Sequence, residues 1–218
     1  GVSNLPDAVV YETLVDDGSE TISDIFSSIA ITKLTVEKFG FVKGQLTEID
    51  LAEDPTSGDP FDVLSQVYYT TFGIGGGAAR FVAEITSSTA PDVDLFFGYD
   101  ANNDNLPSAD EVYAYSATGA ALEYINLVNV PSQPFKWWVT VQNWAGSGAP
   151  LDDITLSVGI VPKTAISPVN MTVTGPTSVP ATELFDLVVG WSGVPMLPGD
   201  RLYGMFSVYT AANKQTTI

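Results

Sequence analysis

The chain has 218 residues, 45% of them hydrophobic, with 26 acidic side chains against eight basic ones and a formal charge of −18. That balance excludes nucleic-acid binding, which needs concentrated Lys and Arg, and no stretch offers the ~20 apolar residues of a membrane-spanning helix. Histidine and cysteine are both absent, which removes Ser-His-Asp and Cys-His nucleophiles and the usual nitrogen and sulfur zinc sites, so the chain is expected not to be an enzyme itself.

In chain order the pattern is β almost throughout. Residues 1–28 are polar and acidic, with a turn at Asp16-Asp17-Gly18, and read as an arm. The run from Ile29 to Phe41 is rich in β-branched and aromatic residues and reads as one strand or two. With the acidic, turn-rich segment that follows Asp50, it makes residues 1–60 an arm and lead-in strands expected to pack on the middle domain. Strands are then expected at Val67–Phe72, Arg80–Ile85 and Val93–Phe97. Gly73–Gly77 between the first two is a flexible loop, because no Gly-Lys-Ser/Thr follows it and no helix opens there.

The next stretch, Asp92–Glu111, joins a strand to a loop crowded with oxygen ligands. Val93, Leu95 and Phe97 face the core, which turns Asp92 and Asp94 to the other face. With Asp100 as position one, Asn102, Asp104, Leu106, Ser108 and Glu111 fall at three, five, seven, nine and twelve, the spacing of an EF-hand-type calcium loop. Calcium takes about 6–8 oxygens, and alternate side chains with a closing bidentate Glu can supply them. Position six, normally Gly, is Asn105, the next residue best suited to a left-handed backbone, and position eight is Pro107, which lacks an N–H. The competing reading is an acidic Asx-turn that binds nothing.

Strands follow at Val112–Tyr115, Leu122–Val130, Phe135–Gln142 and Ile154–Ile160, close enough together to indicate an antiparallel sandwich or jelly-roll over residues 61–162. In Phe135–Gln142, Phe135, Trp137, Val139 and Val141 point inward, and Lys136, Trp138, Thr140 and Gln142 point outward. Trp138 and Trp144 are either a stacking platform for a ligand or packing beneath a further β segment. Asp152 and Asp153 read as solvated turn residues. A composition change at Val161-Pro162 opens a smaller β segment, residues 163–218, with strands at Met171–Val173, Phe185–Trp191 and Tyr203–Tyr209. Asn170-Met171-Thr172 fits the glycosylation pattern. The fold class expected is all-β, with two unequal domains.

Three passages carry a family resemblance. ARFVAEITSSTAPDVDLFFGYDANNDNLPSADE, with ALEYINL and WWVTVQNWAGSGAPLDDITL, resembles the pre-peptidase C-terminal type of β-domain in secreted bacterial subtilisin-like serine proteases. PTSVPATELFDLVVGWSGVPMLPGDRLYGMFSV is similar to the fibronectin-type-III-like segment that can follow it, and AITKLTVEKFGFVKGQLTEIDLAEDPTSGDPFD resembles the lead-in. The resemblance implies a secreted, non-catalytic accessory region whose first partner is the catalytic domain of the same polypeptide. It further implies a role in stability, secretion or positioning on a protein substrate or cell-surface polymer. A carbohydrate- or matrix-binding sandwich, or an adhesin-like domain, is the alternative.

Overall fold

The computed structural model describes residues 9–13, 15–56, 58–164 and 170–210; the first eight residues of the expected arm lie outside them. Thirteen strands account for most of the described chain. They are β1 (Gly18–Phe26), β2 (Thr35–Lys43), β3 (Gln45–Leu51), β4 (Tyr68–Phe72), β5 (Ala78–Ser88), β6 (Asp92–Tyr99), β7 (Val112–Ser116), β8 (Tyr124–Val130), β9 (Trp137–Ala145), β10 (Asp152–Pro162), β11 (Met171–Thr174), β12 (Leu184–Trp191) and β13 (Leu202–Tyr209). The fold is all-β, and the pairings between these strands are antiparallel.

Two compact units divide the chain. One comprises the described residues of Gly1–Phe41, Thr164–Asp200 and Gly204–Ile218, and the other Val42–Lys163 with Arg201–Tyr203. The composition change at Val161-Pro162 thus falls beside the division at Lys163. The N-terminal lead-in departs from its expected place: residues up to Phe41 group with the C-terminal strands, not with the middle ones. The reason is β1, which pairs along its length with β12, from Gly18 opposite Trp191 to Phe26 opposite Leu184. Trp191 fixes this start, since its indole N–H donates to the Val15 carbonyl at 2.9 Å and its ring lies over Gly18. Ile25, Ile31, Val179, Phe185, Leu187 and Val208 form this unit's core. Asn170 spends both amide atoms on the backbone of Phe41, accepting its N–H at 3.2 Å and donating to its carbonyl at 2.9 Å.

The larger unit is a sandwich-like pair of four-stranded sheets, ordered β3-β10-β5-β8 and β4-β9-β6-β7. Period-two alternation turns Phe81, Ala83 and Ile85 of β5 and Ile154 and Leu156 of β10 toward Val93, Leu95 and Phe97 of β6 and Trp137, Val139 and Val141 of β9. At its centre Phe81 stacks on Phe97 with ring centroids 4.0 Å apart, and Phe97 stacks on Trp137 at 4.8 Å. All three are fully buried, each contributing about 2–3 kcal/mol of apolar transfer.

The second face of β9 is buried as well, which simple alternation does not anticipate. Trp138, Thr140 and Gln142 are each 0% exposed. Their cover is the acidic segment after β3, not a further β strand. Asp54 donates its N–H to the Asn143 carbonyl at 2.9 Å and accepts the Gln142 amide at 2.6 Å. Phe61 then meets Trp138 and Phe96 edge-on, at 5.8 and 5.5 Å.

Candidate functional site

The Asp100–Glu111 loop begins where β6 leaves the sheet. The Asp100 N–H donates to the Lys136 carbonyl at 2.9 Å, one residue before β9. Its side chain is wholly buried and turns back into the loop, Oδ1 accepting the Asp104 N–H and Oδ2 the Asn105 N–H, both at 3.0 Å. Asn102 Oδ1 also accepts the Asp104 N–H at 2.9 Å, and Asp104 Oδ1 accepts the Leu106 N–H at 2.8 Å, so short oxygen-bearing side chains wind the backbone tightly. Two residues take the left-handed conformation, Asn103 at φ 62° and Asn105 at φ 64°. Asn tolerates that region best after Gly, which is how position six dispenses with glycine.

Pro107 is buried and a single 3₁₀ turn, Ala109–Glu111, ends the loop. The Glu111 side chain then reaches back to the loop's start and is only 6% exposed. Oε1 accepts the N–H groups of Ala101 at 2.8 Å and Asn102 at 3.3 Å, whereas Oε2 is buried with no donor. Hydrogen bonds thus link Asp100, Asn102, Asp104 and Glu111. Leu106 joins through its N–H, and Ser108 joins through its carbonyl, which takes the Glu111 N–H at 3.1 Å. Among the described residues no three carboxylates are already gathered around one point, so a cation here would draw on mixed carboxylate, amide and carbonyl oxygens. Lys136 closes the loop's open side, its ammonium donating to Asn105 Oδ1 at 2.6 Å.

Asp92 and Asp94 belong elsewhere. They share a face at the opposite end of β6, about 20–26 Å along the strand from Asp100 at ~3.3 Å per residue. Their company is Glu123, buried on the β7–β8 connection and held by the Ser116 and Thr118 hydroxyls and by the Thr118 N–H at 2.9 Å. Asp94 is pushed up to about 6, first by burial and then by the Asp92 and Glu123 carboxylates. Asp92 is raised by burial and by Glu123. The outward alternation of Asp92 and Asp94 was legible in sequence; Glu123 as their neighbour was not, because only strand pairing brings it there.

Asp152 is likewise not a solvated turn residue. It opens β10, fully buried, accepting from Thr89 Oγ1, Asn143 Nδ2 and the Ser147 N–H at 3.0, 3.0 and 3.1 Å. Burial alone would raise its pKa, but these hydrogen bonds outweigh it and hold the carboxyl below its usual range. Asp153 is exposed, as expected. It stands directly opposite Asp50 in an acidic groove of about 350 Å³ lined by Glu48, Ile49, Asp50, Asp153, Ile154 and Thr155.

Of the aromatic pair singled out in sequence, Trp138 is 0% exposed beneath Phe61 and Trp144 is 43% exposed at the end of β9. Sequence alternation does not single out the more exposed aromatics of this unit, Tyr113, Tyr115 and Tyr124 on β7 and β8. No family model matches the chain, and no curated protein is significantly similar to it.

Proposed function

We propose that this chain is a non-catalytic, extracellular accessory β-module of a subtilisin-like serine protease, steadied by calcium held in the Asp100–Glu111 loop. The protease assignment rests on the sequence resemblance. The observation that carries the calcium reading is Glu111 Oε2, a carboxylate oxygen buried without a donor in a loop whose other oxygens follow calcium-ligand spacing. An Asx-turn accounts for the bonds made by Asp100, Asn102 and Asp104, and the Ala101 and Asn102 N–H groups account for Glu111 Oε1, yet neither gives Oε2 a partner. Leaving such an oxygen unmet costs about 1–3 kcal/mol or more, and a bidentate Glu at position twelve meets the need by closing a calcium shell. Asp92 Oδ1 is the other buried carboxylate oxygen without a donor among the described residues, but it lies outside this loop. The ligands would be Asp100, Asn102, Asp104, the Leu106 carbonyl, Ser108 directly or through water, and Glu111.

The test is a thermal melt of the chelated chain with calcium, magnesium or neither. Calcium at a hundredfold excess over Kd stabilises the folded state by about 2.7 kcal/mol, a rise of roughly 5–10 °C for a unit of this size. Glu111→Gln removes that rise. Equal melts with and without calcium would overturn the site.

A carbohydrate- or matrix-binding module is the second reading, and the exposure of Tyr115, 68%, and of Tyr113, Tyr124 and Trp144 favours it. It requires saturable retention on an immobilised polysaccharide, weakened by Tyr115→Ala; the accessory reading expects none.

A further inference from the structure

We infer that Lys136 is a tethered counter-ion of the Asp100–Glu111 loop, ordering it when calcium is absent and lowering its affinity for calcium. The inference rests on the calcium reading above and adds a regulator to that site. The chain carries eight basic residues against 26 acidic ones, and one of the eight directs its ammonium at Asn105 Oδ1 over 2.6 Å. Asn105 is one step from the first ligand position, since its N–H donates to Asp100 Oδ2. The backbone of residue 136 cannot drift from the loop, because its carbonyl holds the Asp100 N–H and the adjoining Trp137 is fully buried. Residue 136 therefore grips the loop at positions one and six at once.

Ordering an exposed Lys side chain costs rotamer entropy, so a short, charge-assisted contact needs something to offset it. Without calcium, Asp100, Asp104 and Glu111 carry three negative charges on one short loop, and an ammonium at its rim offsets part of that charge. When a divalent ion enters, the same ammonium repels it. For a double and a single charge several ångströms apart in a solvated site, that repulsion amounts to about three- to tenfold in affinity. By linkage, calcium must loosen the Lys136–Asn105 bond by the same factor.

The experiment is calorimetric titration of the chelated chain with calcium at low ionic strength. It compares wild type, Lys136→Met, Lys136→Arg and Lys163→Met, whose ammonium lies instead against the Asn129 carbonyl at 3.5 Å. Lys136→Met is expected to bind calcium about three- to tenfold tighter than wild type, the gap closing in ~1 M salt. Lys136→Arg and Lys163→Met stay within about twofold of wild type, and chelated Lys136→Met melts below the chelated wild type. Equal tightening in Lys136→Met and Lys163→Met would reduce the effect to net charge and overturn the inference. Calcium uptake by wild type with no tightening in Lys136→Met would overturn it alone, whereas no uptake by wild type would overturn the calcium reading as well.

Discussion

Gly98→Ala is expected to lower the stability of the larger unit by about 3 kcal/mol, roughly 6–12 °C in melting temperature. Gly98 sits on β6 between Val112 of β7 and Trp138 of β9, next to a register shift on the β7 side. A methyl group there would overlap Trp138 Cζ2 and the Glu111 carbonyl oxygen and would lie 2.6 Å from Trp138 Cε2. Neither neighbour is free to yield. The Trp138 ring is fully buried with Phe61 across it, and Glu111 is anchored by its carboxylate to Ala101 and Asn102. The same substitution therefore pushes on Glu111, which closes the loop proposed to hold calcium, and the rise in melting temperature that the proposal expects from calcium should shrink with it. Gly119→Ala is the control, since nothing lies within 4 Å of its added carbon, and it should change stability by no more than about 0.5 kcal/mol. Equal melts for the two variants would overturn the packing account.

Gly98 also illustrates what the sequence discloses and what it withholds. Alternation placed Phe135, Trp137, Val139 and Val141 inward and Trp138, Thr140 and Gln142 on the opposite face. The two faces alternate as read, but Phe135 precedes β9 and is only half-buried, and the second set is buried, not outward. What pattern alone does not supply is the fate of that second face. It is covered by Asp54 and Phe61, whose segment is acidic and turn-rich and carries no periodic signal, so only long-range contact reveals it as a lid on the sheet. The same limit explains β1 and β3. Their sequences, GSETISDIF and QLTEIDL, are polar because most of their side chains stay exposed or half-buried, and they hold their places mainly through backbone pairing. In the loop, by contrast, local chemistry governs local shape. Spacing singled out Asp100, Asn102, Asp104 and Glu111 as oxygen-bearing residues of one loop and Asn105 as suited to a left-handed backbone; the four are linked by hydrogen bonds and Asn105 has φ 64°. Lys136 was out of reach of such reasoning, because it is 31 residues from Asn105.

Asp94→Asn should stabilise the protein at neutral pH while leaving it nearly unchanged in acid. Asp94 is 8% exposed and faces carboxylates from more than one element. Asp92 precedes it by two residues on β6, and Glu123 comes from the β7–β8 connection. On β9 its opposite residue is Gln142, whose amide is already given to Asp54. The folded pKa of about 6 exceeds the ordinary 3.8, so between these values the folded chain binds the additional proton. Asp94 thus adds stability that is complete below about pH 4 and lost as the pH rises through 6. After allowance for solvent screening, the loss is about 1–2 kcal/mol. Urea unfolding at pH 4 and pH 7.5 checks this: Asp94→Asn should exceed wild type by that amount only at the higher pH. Asp152 predicts the opposite slope, because its depressed pKa makes its contribution present at neutral pH and lost on acidification. Asp152→Asn should therefore be weaker than wild type at pH 7.5 and remain weaker at pH 4, with the difference narrowing only as the pH falls below about 4. If Asp94→Asn and wild type differ equally at both pH values, the carboxylate cluster is not the source of the effect, and the packing of residue 94 is.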